Sequence, residues 1–278
     1  MKIAATTLCP NLNVEAKFSL FSGDFATRIA KIAQAGYTGV ELLPYDPLTI
    51  DVPLVRRTLD QHHLEVAAIA SGIQASVAGL TLLSTDPDIE RTALERMFDL
   101  IDLARLCAAD VVTLGSFRGR MTVPFAAEAE RLYSILAKIC DYGMDRGVNI
   151  ALEPVNRYED SAFNTAGDVM DVIERVGRSN LGILLDTFHM NIEEADILKT
   201  ITDSFSHITH IHIADSNRLS PGSGHFDFVP MLRLLKDLGY DGWLSAELLA
   251  KPTPDEAGFT TGSELRRLRD DAVEASSP

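Results

Sequence analysis

The sequence predicts an α/β fold, a single (β/α)8 or TIM barrel that spans residues 1–278, and three observations support this prediction. First, short apolar runs alternate with amphipathic helical patterns eight times along the chain. Second, 278 residues divided among eight units give about 35 residues a unit, enough for a strand, a crossover helix and two short loops. Third, the strand segments are almost continuously apolar, as in parallel strands buried on both faces. An open doubly wound sheet is the alternative, and its dinucleotide-binding form is disfavoured because no GxGxxG motif follows the first strand.

The predicted strands are short and rich in aliphatic and β-branched residues, and Gly, Pro or charged residues bound them. Each is followed by a polar or Gly/Pro segment and then by a helical pattern, which is the order of a βα unit. In chain order they are Lys2–Leu8, Thr38–Leu43, Leu64–Ala70, Asp110–Ser116, Val148–Glu153, Leu181–Asp186, His207–Asp215 and Gly242–Leu248.

The predicted helices show apolar residues at helical spacing and recognisable caps. Asp24 caps the first helix and Gly36 ends it, while Asp51 caps the second. Thr165, with Asp168 three residues later, forms a capping box that opens the fifth helix. The others are Asp88–Cys107, Phe125–Arg146, Ile192–Thr202, Asp227–Leu238 and Ser263–Val273, and a loose segment around residues 251–262 is expected before the last.

Composition excludes several classes of partner. The 25 Lys and Arg against 40 Asp and Glu give a net charge of −15, which repels a phosphate backbone, so no nucleic-acid partner is expected. No apolar run approaches the roughly 18–20 residues of a membrane span, so no membrane partner is expected. Three cysteines without a CxxC pair indicate a reduced, cytoplasmic protein. The sequence leaves open whether the chain forms a homo-oligomer, a dimer or a tetramer.

Four consecutive strands each bring a metal-type ligand to the carboxyl end of the predicted barrel, where barrel enzymes carry their reacting groups. Glu153, Asp186, His212 and Glu247 are separated by 33, 26 and 35 residues, about one βα unit each. Three carboxylates converging in a cleft repel one another unless a cation neutralises them. The pattern therefore predicts one divalent metal. The oxygen-rich set with one imidazole favours Mn²⁺, then Co²⁺ or Mg²⁺, over Zn²⁺.

Two further polar residues lie on the predicted strands. His210 shares the strand parity of His212, so it should point inward one layer deeper, as a core residue or as support for the ligands. Glu41 ends the second strand and either lines the site or forms a structural ion pair. The residues alone do not decide between these two interpretations of Glu41.

Five segments carry a resemblance to a known family. They are Glu153-Pro-Val-Asn-Arg-Tyr-Glu159, Asp186-Thr-Phe-His-Met-Asn-Ile-Glu-Glu194, His210-Ile-His212, Asp215-Ser-Asn-Arg218 and Gly224-His-Phe-Asp227. Over essentially its whole length the chain resembles the sugar isomerase/epimerase family of xylose-isomerase-like barrels. Within it, the D-tagatose/D-psicose (ketose) 3-epimerases and 5-keto-L-gluconate epimerase are most similar.

The resemblance implies an activity and roles for named residues. Glu153 and Glu247 match the family's pair of catalytic carboxylates, and His189, Arg218 and Glu159 match residues that hold the oxygens of a small sugar substrate. Such an enzyme epimerises a free ketose, most often at C3, through an enediolate. An aldose–ketose isomerase, an inosose-dehydratase-like lyase, an endonuclease IV-like nuclease and a sugar-binding protein are the alternatives. A charge of −15 and few histidines at the barrel's end argue against the nuclease.

Arg118 and Arg120 stand on either side of a glycine after the fourth strand. One interpretation is a solvated loop whose arginines pair with nearby acidic residues. The other is that Arg118 or Arg120 binds the carboxylate of a keto-aldonate such as 5-keto-gluconate, since guanidinium and carboxylate form a bidentate pair. Under the second interpretation the substrate is a sugar acid rather than a neutral ketose, which offers no carboxylate.

Overall fold

A computed structural model describes residues 1–10, 17–121 and 125–274. Eight parallel strands pair in chain order, and the first also pairs with the last, so the sheet closes into a barrel. The predicted (β/α)8 barrel is confirmed, and the open sheet is excluded. The strands are β1 (Lys2–Leu8), β2 (Gly39–Leu43), β3 (Glu65–Ala70), β4 (Val111–Leu114), β5 (Asn149–Leu152), β6 (Leu181–Asp186), β7 (Ile208–Ile213) and β8 (Trp243–Ala246).

Helices follow the strands and cover the outside of the barrel. Their apolar faces and the outer faces of the strands form the main hydrophobic core. None of the helices in the described parts of the chain combines the length and apolarity needed to cross a membrane. The helices are α1 (Phe25–Gln34), α2 (Val52–Gln61), α3 (Gly72–Ser76), α4 (Pro87–Leu106), α5 (Phe125–Met144), α6 (Ala166–Val176), α7 (Thr187–Glu193), α8 (Ile197–Ser204), α9 (Phe228–Asp237) and α10 (Pro254–Glu274).

The caps predicted from the sequence begin the helices as expected. The side chain of Asp24 accepts a hydrogen bond from the Thr27 N–H at 2.8 Å at the start of α1. Thr165 and Asp168 form both bonds of the predicted capping box at the start of α6. These side chains satisfy backbone N–H groups that have no partner within the helix.

The helix predicted over residues 192–202 is wrong, because two helices occupy this region. Asp186 accepts a hydrogen bond from the Phe188 N–H at 2.7 Å and begins α7 at the last residue of β6. Asp196 accepts one from the Lys199 N–H at 3.0 Å and begins α8. Two caps ten residues apart thus divide the segment. The short helix α3, which follows β3, was not predicted.

The loose segment predicted around residues 251–262 is also wrong beyond its first residues, since α10 begins at Pro254. Thr253 Oγ1 accepts a hydrogen bond from the Glu256 N–H at 3.2 Å and caps the helix. Small residues let α10 lie close to the barrel: a Cβ at Gly262 would be 2.7 Å from the Ala35 carbonyl oxygen. Glycines that suggest a loop in the sequence are here required by close packing.

Candidate metal centre and active site

The four side chains predicted to bind a metal converge at the carboxyl end of the barrel. Glu153 follows β5, Asp186 ends β6, His212 lies in β7 and Glu247 follows β8. One donor atom from each lies within 4.8 Å of the others. His212 Nδ1 is 3.4 Å from Glu247 Oε2 and 3.8 Å from Glu153 Oε1. We call these four residues, as candidate metal ligands, the metal centre.

The donor atoms of the metal centre suit a divalent cation. Glu153 Oε1, Asp186 Oδ2 and His212 Nδ1 are buried without a hydrogen-bond partner among the described residues. Buried polar atoms nearly always have a partner, so three unpartnered atoms in one cluster are explained best as ligands. A set of carboxylate oxygens with one imidazole nitrogen suits Mn²⁺, Co²⁺ or Mg²⁺.

Burial and charge shift the pKa values within the metal centre. Burial raises the pKa of Asp186 above its ordinary value. Burial alone would lower the pKa of His212, but Glu41 and Glu247 outweigh it and raise that pKa well above the ordinary value. Burial would likewise raise the pKa of Glu247, but His212 and then Arg218 outweigh it and lower that pKa. The charged groups of this buried cluster therefore shift one another's pKa values.

Glu41, on β2, lies behind His212 in the barrel interior. Its Oε1 and Oε2 are each 3.1 Å from His212 Nε2, and Oε2 is 2.9 Å from His210 Nε2. His210 Nε2 is also 3.0 Å from the hydroxyl of Ser245. Of the two interpretations of Glu41, the structure supports the structural one, in which its carboxylate is hydrogen-bonded to two imidazoles, and it places His210 one layer deeper as expected.

His189 lies beside the metal centre with one ring nitrogen facing it. Its Nε2 is 3.7 Å from Glu153 Oε1 and 3.8 Å from Asp186 Oδ2. Its Nδ1 accepts a hydrogen bond from the backbone N–H of Asn156 at 3.3 Å. The side-chain nitrogen of the same residue, Asn156 Nδ2, lies 2.7 Å from His189 Nδ1. Because a backbone N–H can only donate, Nδ1 carries no proton, and the neutral ring presents an Nε2–H donor to the site.

Arg218 extends from the loop after β7 toward the same place. It donates to Glu159 Oε1 at 2.7 Å and to Glu247 Oε2 at 3.5 Å. Its guanidinium carbon lies 4.5 Å from the Phe18 ring centroid and 4.7 Å from that of Phe188, so cation–π contacts on two rings fix its orientation. Its φ of +61° is rare for a residue with a side chain and is typical of functional loops.

The interpretation of Arg118 as a carboxylate-binding residue is wrong. Its side chain is buried and donates to the carbonyl oxygens of Glu153 at 2.7 Å and Ala162 at 3.1 Å. It also pairs with the buried carboxylate of Asp160 at 3.1 Å. Both terminal nitrogens of the Arg118 guanidinium are therefore bound to groups of the protein itself, and Arg118 supports the backbone at Glu153. Arg120 is exposed, next to residues outside the described range, and its assignment stays a prediction.

Sequence reasoning missed three residues that shape the site. Asn156 orients His189, Phe18 packs against Arg218, and Asp160 neutralises Arg118. Asn156 stands inside a motif that was recognised, so its presence was a usable signal. Phe18 and Asp160 lie in loops without periodicity, and the sequence carries no signal for their contacts.

This arrangement combines a candidate cation site with two carboxylates that can act as acid or base and two hydrogen-bond donors. A divalent ion polarises a carbonyl and stabilises negative charge that develops on oxygen. Glu153 and Glu247 come from non-adjacent strands and can exchange protons with a bound molecule from different directions. His189 and Arg218 offer N–H groups to its oxygens. Proton transfer next to a carbonyl is the chemistry that this set supports.

Comparison with protein families agrees with the geometry. The model of the xylose isomerase-like TIM barrel family matches residues 29–270. A ketose 3-epimerase of Arthrobacter globiformis is 33% identical over 77% of this chain and 74% of its own length. An L-ribulose 3-epimerase of Methylomonas sp. (strain DH-1) is 32% identical over 91% of this chain and 90% of its own.

Among solved structures, a D-allulose 3-epimerase from Methylomonas sp. in complex with D-allulose has a similar fold. The TM-score is 0.78 at 25% identity, with 97% of each chain covered.

Proposed function

Because the chain belongs to the xylose isomerase-like TIM barrel family, we propose that it is an isomerase that epimerises a free ketose at C3 with one bound divalent metal ion. The observation that carries the proposal is the metal centre itself, in which Glu153 and Glu247 belong to one cluster with unpartnered ligand atoms. Two relatives named as 3-epimerases, each more than 30% identical, support the reaction class.

Inversion at C3 requires a base and an acid on opposite faces of the sugar. One of the pair Glu153 and Glu247 removes the C3 proton, which leaves an enediolate, and the other returns a proton to the opposite face. No atom is gained or lost, so the product is an isomer. His212 and Arg218 lower the pKa of Glu247 despite its burial, which keeps this carboxylate ionised and able to accept a proton. A divalent ion held by the metal centre would polarise the C2 carbonyl and so lower the barrier.

His189 and Arg218 hold the sugar while the proton moves. The Nε2–H of His189 is directed toward the metal centre and donates to a sugar oxygen. Arg218 is fixed by Phe18 and Phe188 and bound to Glu159, so its guanidinium keeps its position when the substrate enters. A donor fixed in advance stabilises developing negative charge without reorganisation.

A neutral ketose is the substrate class that we favour over a keto-aldonate. The acid was predicted from two arginines, and Arg118 is committed to Asp160 and backbone carbonyls. Arg120 alone is left for that role. Mn²⁺ is the metal that we propose, with Co²⁺ or Mg²⁺ as substitutes. A cytoplasmic location, the lack of nucleic-acid and membrane partners, and a dimeric or tetrameric assembly stay predictions.

The test is incubation of the Mn²⁺-loaded protein with ketopentoses, ketohexoses and keto-aldonates in D₂O. We expect a C3 epimer that differs from the substrate in composition only by deuterium at C3. Loss of water would indicate a lyase, an aldose product would indicate a 1,2-isomerase, and binding without exchange would indicate a sugar-binding protein. Turnover of acids alone, abolished by Arg120→Ala, would restore the keto-aldonate assignment.

Variants of the two carboxylates test their roles. Glu153→Gln and Glu247→Gln should each lower kcat by at least about 100-fold, because one proton transfer loses its group. Glu174→Gln, on the exposed face of α6, is the matched control and should keep wild-type turnover. Metal content is measured in each variant, so that loss of the cation is separated from loss of the acid or base.

A further inference from the structure

We propose that Glu41 is a positioning residue of the metal centre, which fixes the tautomer of His212 so that the lone pair of Nδ1 is available to a cation. This inference rests on the metal binding included in the proposed function. Glu41 is fully buried on β2, and its carboxylate contacts the imidazoles of His212 and His210. It does not belong to the metal centre, whose ligand atoms lie on the other side of His212.

The argument starts from the donors and acceptors. An ionised carboxylate can only accept hydrogen bonds, so each nitrogen that faces Glu41 must carry a proton. His212 Nε2, 3.1 Å from both carboxylate oxygens, is therefore N–H. A neutral imidazole with the proton on Nε2 has its lone pair on Nδ1, the atom 3.4 Å from Glu247 Oε2. The unpartnered state of Nδ1 agrees with this assignment.

His210 keeps Glu41 in place. Its Nε2 lies 2.9 Å from Glu41 Oε2, and Ser245 Oγ lies 3.0 Å from the same nitrogen. The ring planes of His210 and His212 cross at 86°, so both can direct Nε2 at one carboxylate without stacking. A carboxylate held at two points fixes the imidazole that it contacts and raises the basicity of the ligating nitrogen.

Glu41, His210 and His212 could instead hold a second cation. Their separations of 2.9 to 3.1 Å are those of N–H···O hydrogen bonds, and His210 Nε2 also contacts a hydroxyl. A hydrogen-bonded chain accounts for all of these contacts. The proposal therefore requires one metal per chain, and stoichiometry distinguishes the two models.

The experiment is calorimetric titration of metal-free protein with Mn²⁺, together with the visible absorption spectrum of the Co²⁺ form. Wild type should bind one ion per chain. Glu41→Gln should weaken binding by about 10–100-fold, because the amide N–H₂ can turn toward Nε2 and favour the wrong tautomer. Its Co²⁺ bands should shift. Glu65→Gln, the same change on the exposed amino end of β3, should match wild type.

The outcomes separate this inference from the proposed function. Unchanged Mn²⁺ affinity and an unchanged Co²⁺ spectrum in Glu41→Gln would overturn it, as would two ions per wild-type chain with one lost in the variant. Tight binding of one ion without turnover of any sugar would overturn the proposed function instead. If Glu41→Gln does not fold, the ¹⁵N chemical shifts of the imidazole rings in Mg²⁺-loaded wild type provide the test. We expect His212 to carry its proton on Nε2. A His212 ring protonated on Nδ1 would refute the proposal.

Discussion

Arg118 and Arg120 are two residues apart in the chain, yet their surroundings are opposite. Arg118 is buried, and its guanidinium contacts the Asp160 carboxylate and the carbonyl oxygen of Glu153. Arg120 is exposed. Since the Glu153 carbonyl directly follows β5, Arg118 helps to fix the backbone that carries a predicted ligand.

Arg118→Met should therefore lower the free energy of unfolding by about 3–5 kcal/mol, because it leaves the buried Asp160 carboxylate without its cationic partner. Urea denaturation followed by circular dichroism measures the loss. The double variant Arg118→Met/Asp160→Asn should recover part of it, since the unpaired charge is gone. Arg120→Ala should stay within about 0.5 kcal/mol of wild type. Equal stabilities of Arg118→Met and Arg120→Ala would contradict the buried pair.

The convergence of the four candidate ligands could be predicted from single residues, because the carboxyl ends of the strands meet at one end of a barrel. Glu153, Asp186, His212 and Glu247 needed only the strand positions and their residue types. The contacts of Phe18 with Arg218 depend on the course of two loops, and no periodic pattern encodes that course. The environments of the two arginines likewise depend on a loop after β4.

Among the elements, the loop after β7 has the most unusual support. Asp215 is buried, and its Oδ1 accepts from the N–H groups of Ser216 at 2.7 Å and Phe226 at 3.1 Å. Its Oδ2 accepts from the Gly222 N–H at 2.8 Å. One carboxylate thus gathers backbone donors spread over eleven residues. Arg218 extends from this loop, so Asp215 holds the loop backbone that carries a predicted substrate-binding residue.

Asp215→Asn should destabilise the protein by about 1–3 kcal/mol at neutral pH, because an amide cannot accept at both positions. Burial would raise the pKa of Asp215, but backbone hydrogen bonds, that of Gly224 first, lower it below the ordinary 3.8. Its stabilisation is therefore complete above the unfolded pKa and is lost as the pH falls through the folded pKa. Urea denaturation from pH 7 downward should show the two proteins converging in acid; a constant difference would contradict the role.

Two elements could not be read correctly from their composition. A loose segment was predicted around residues 251–262, but Gly258 and Gly262 lie inside α10, where a Cβ would approach Phe21 and Ala35 too closely. The prediction of a helix over residues 192–202 did not use Asp186 as a cap, because that residue was interpreted as a candidate metal ligand, although it also begins α7. Periodicity predicts that an element exists, and tertiary contacts decide where it begins.

At the scale of the whole molecule, the barrel concentrates charge that it cannot neutralise by itself. Glu41, Glu153, Asp186 and Glu247 are carboxylates from four strands, in a protein whose net charge is already −15. His212 and Arg218 offset part of this charge. Closure of the sheet brings these groups together, so the folded state carries the electrostatic cost and the unfolded chain does not.

A divalent cation should consequently stabilise the fold as a whole. A ligand that binds only the folded state, at a free concentration of about 100 times its Kd, adds about 2.7 kcal/mol to the free energy of unfolding. For a chain of this size that raises the Tm by roughly 5–10 °C. Differential scanning calorimetry of protein dialysed against EDTA, then of the same sample with Mn²⁺, measures the shift.

Two variants assign that shift to the metal centre. Asp186→Asn removes one ligand oxygen and one buried charge. Without metal, its Tm should therefore be at most a few degrees below that of metal-free wild type. Mn²⁺ should raise the Tm of the variant far less than that of wild type. Glu174→Gln, on the exposed face of α6, should keep the full shift. If wild type melts at the same temperature with EDTA and with Mn²⁺, the four side chains do not bind a cation tightly. If Asp186→Asn responds as strongly as wild type, the cation binds elsewhere on this acidic surface.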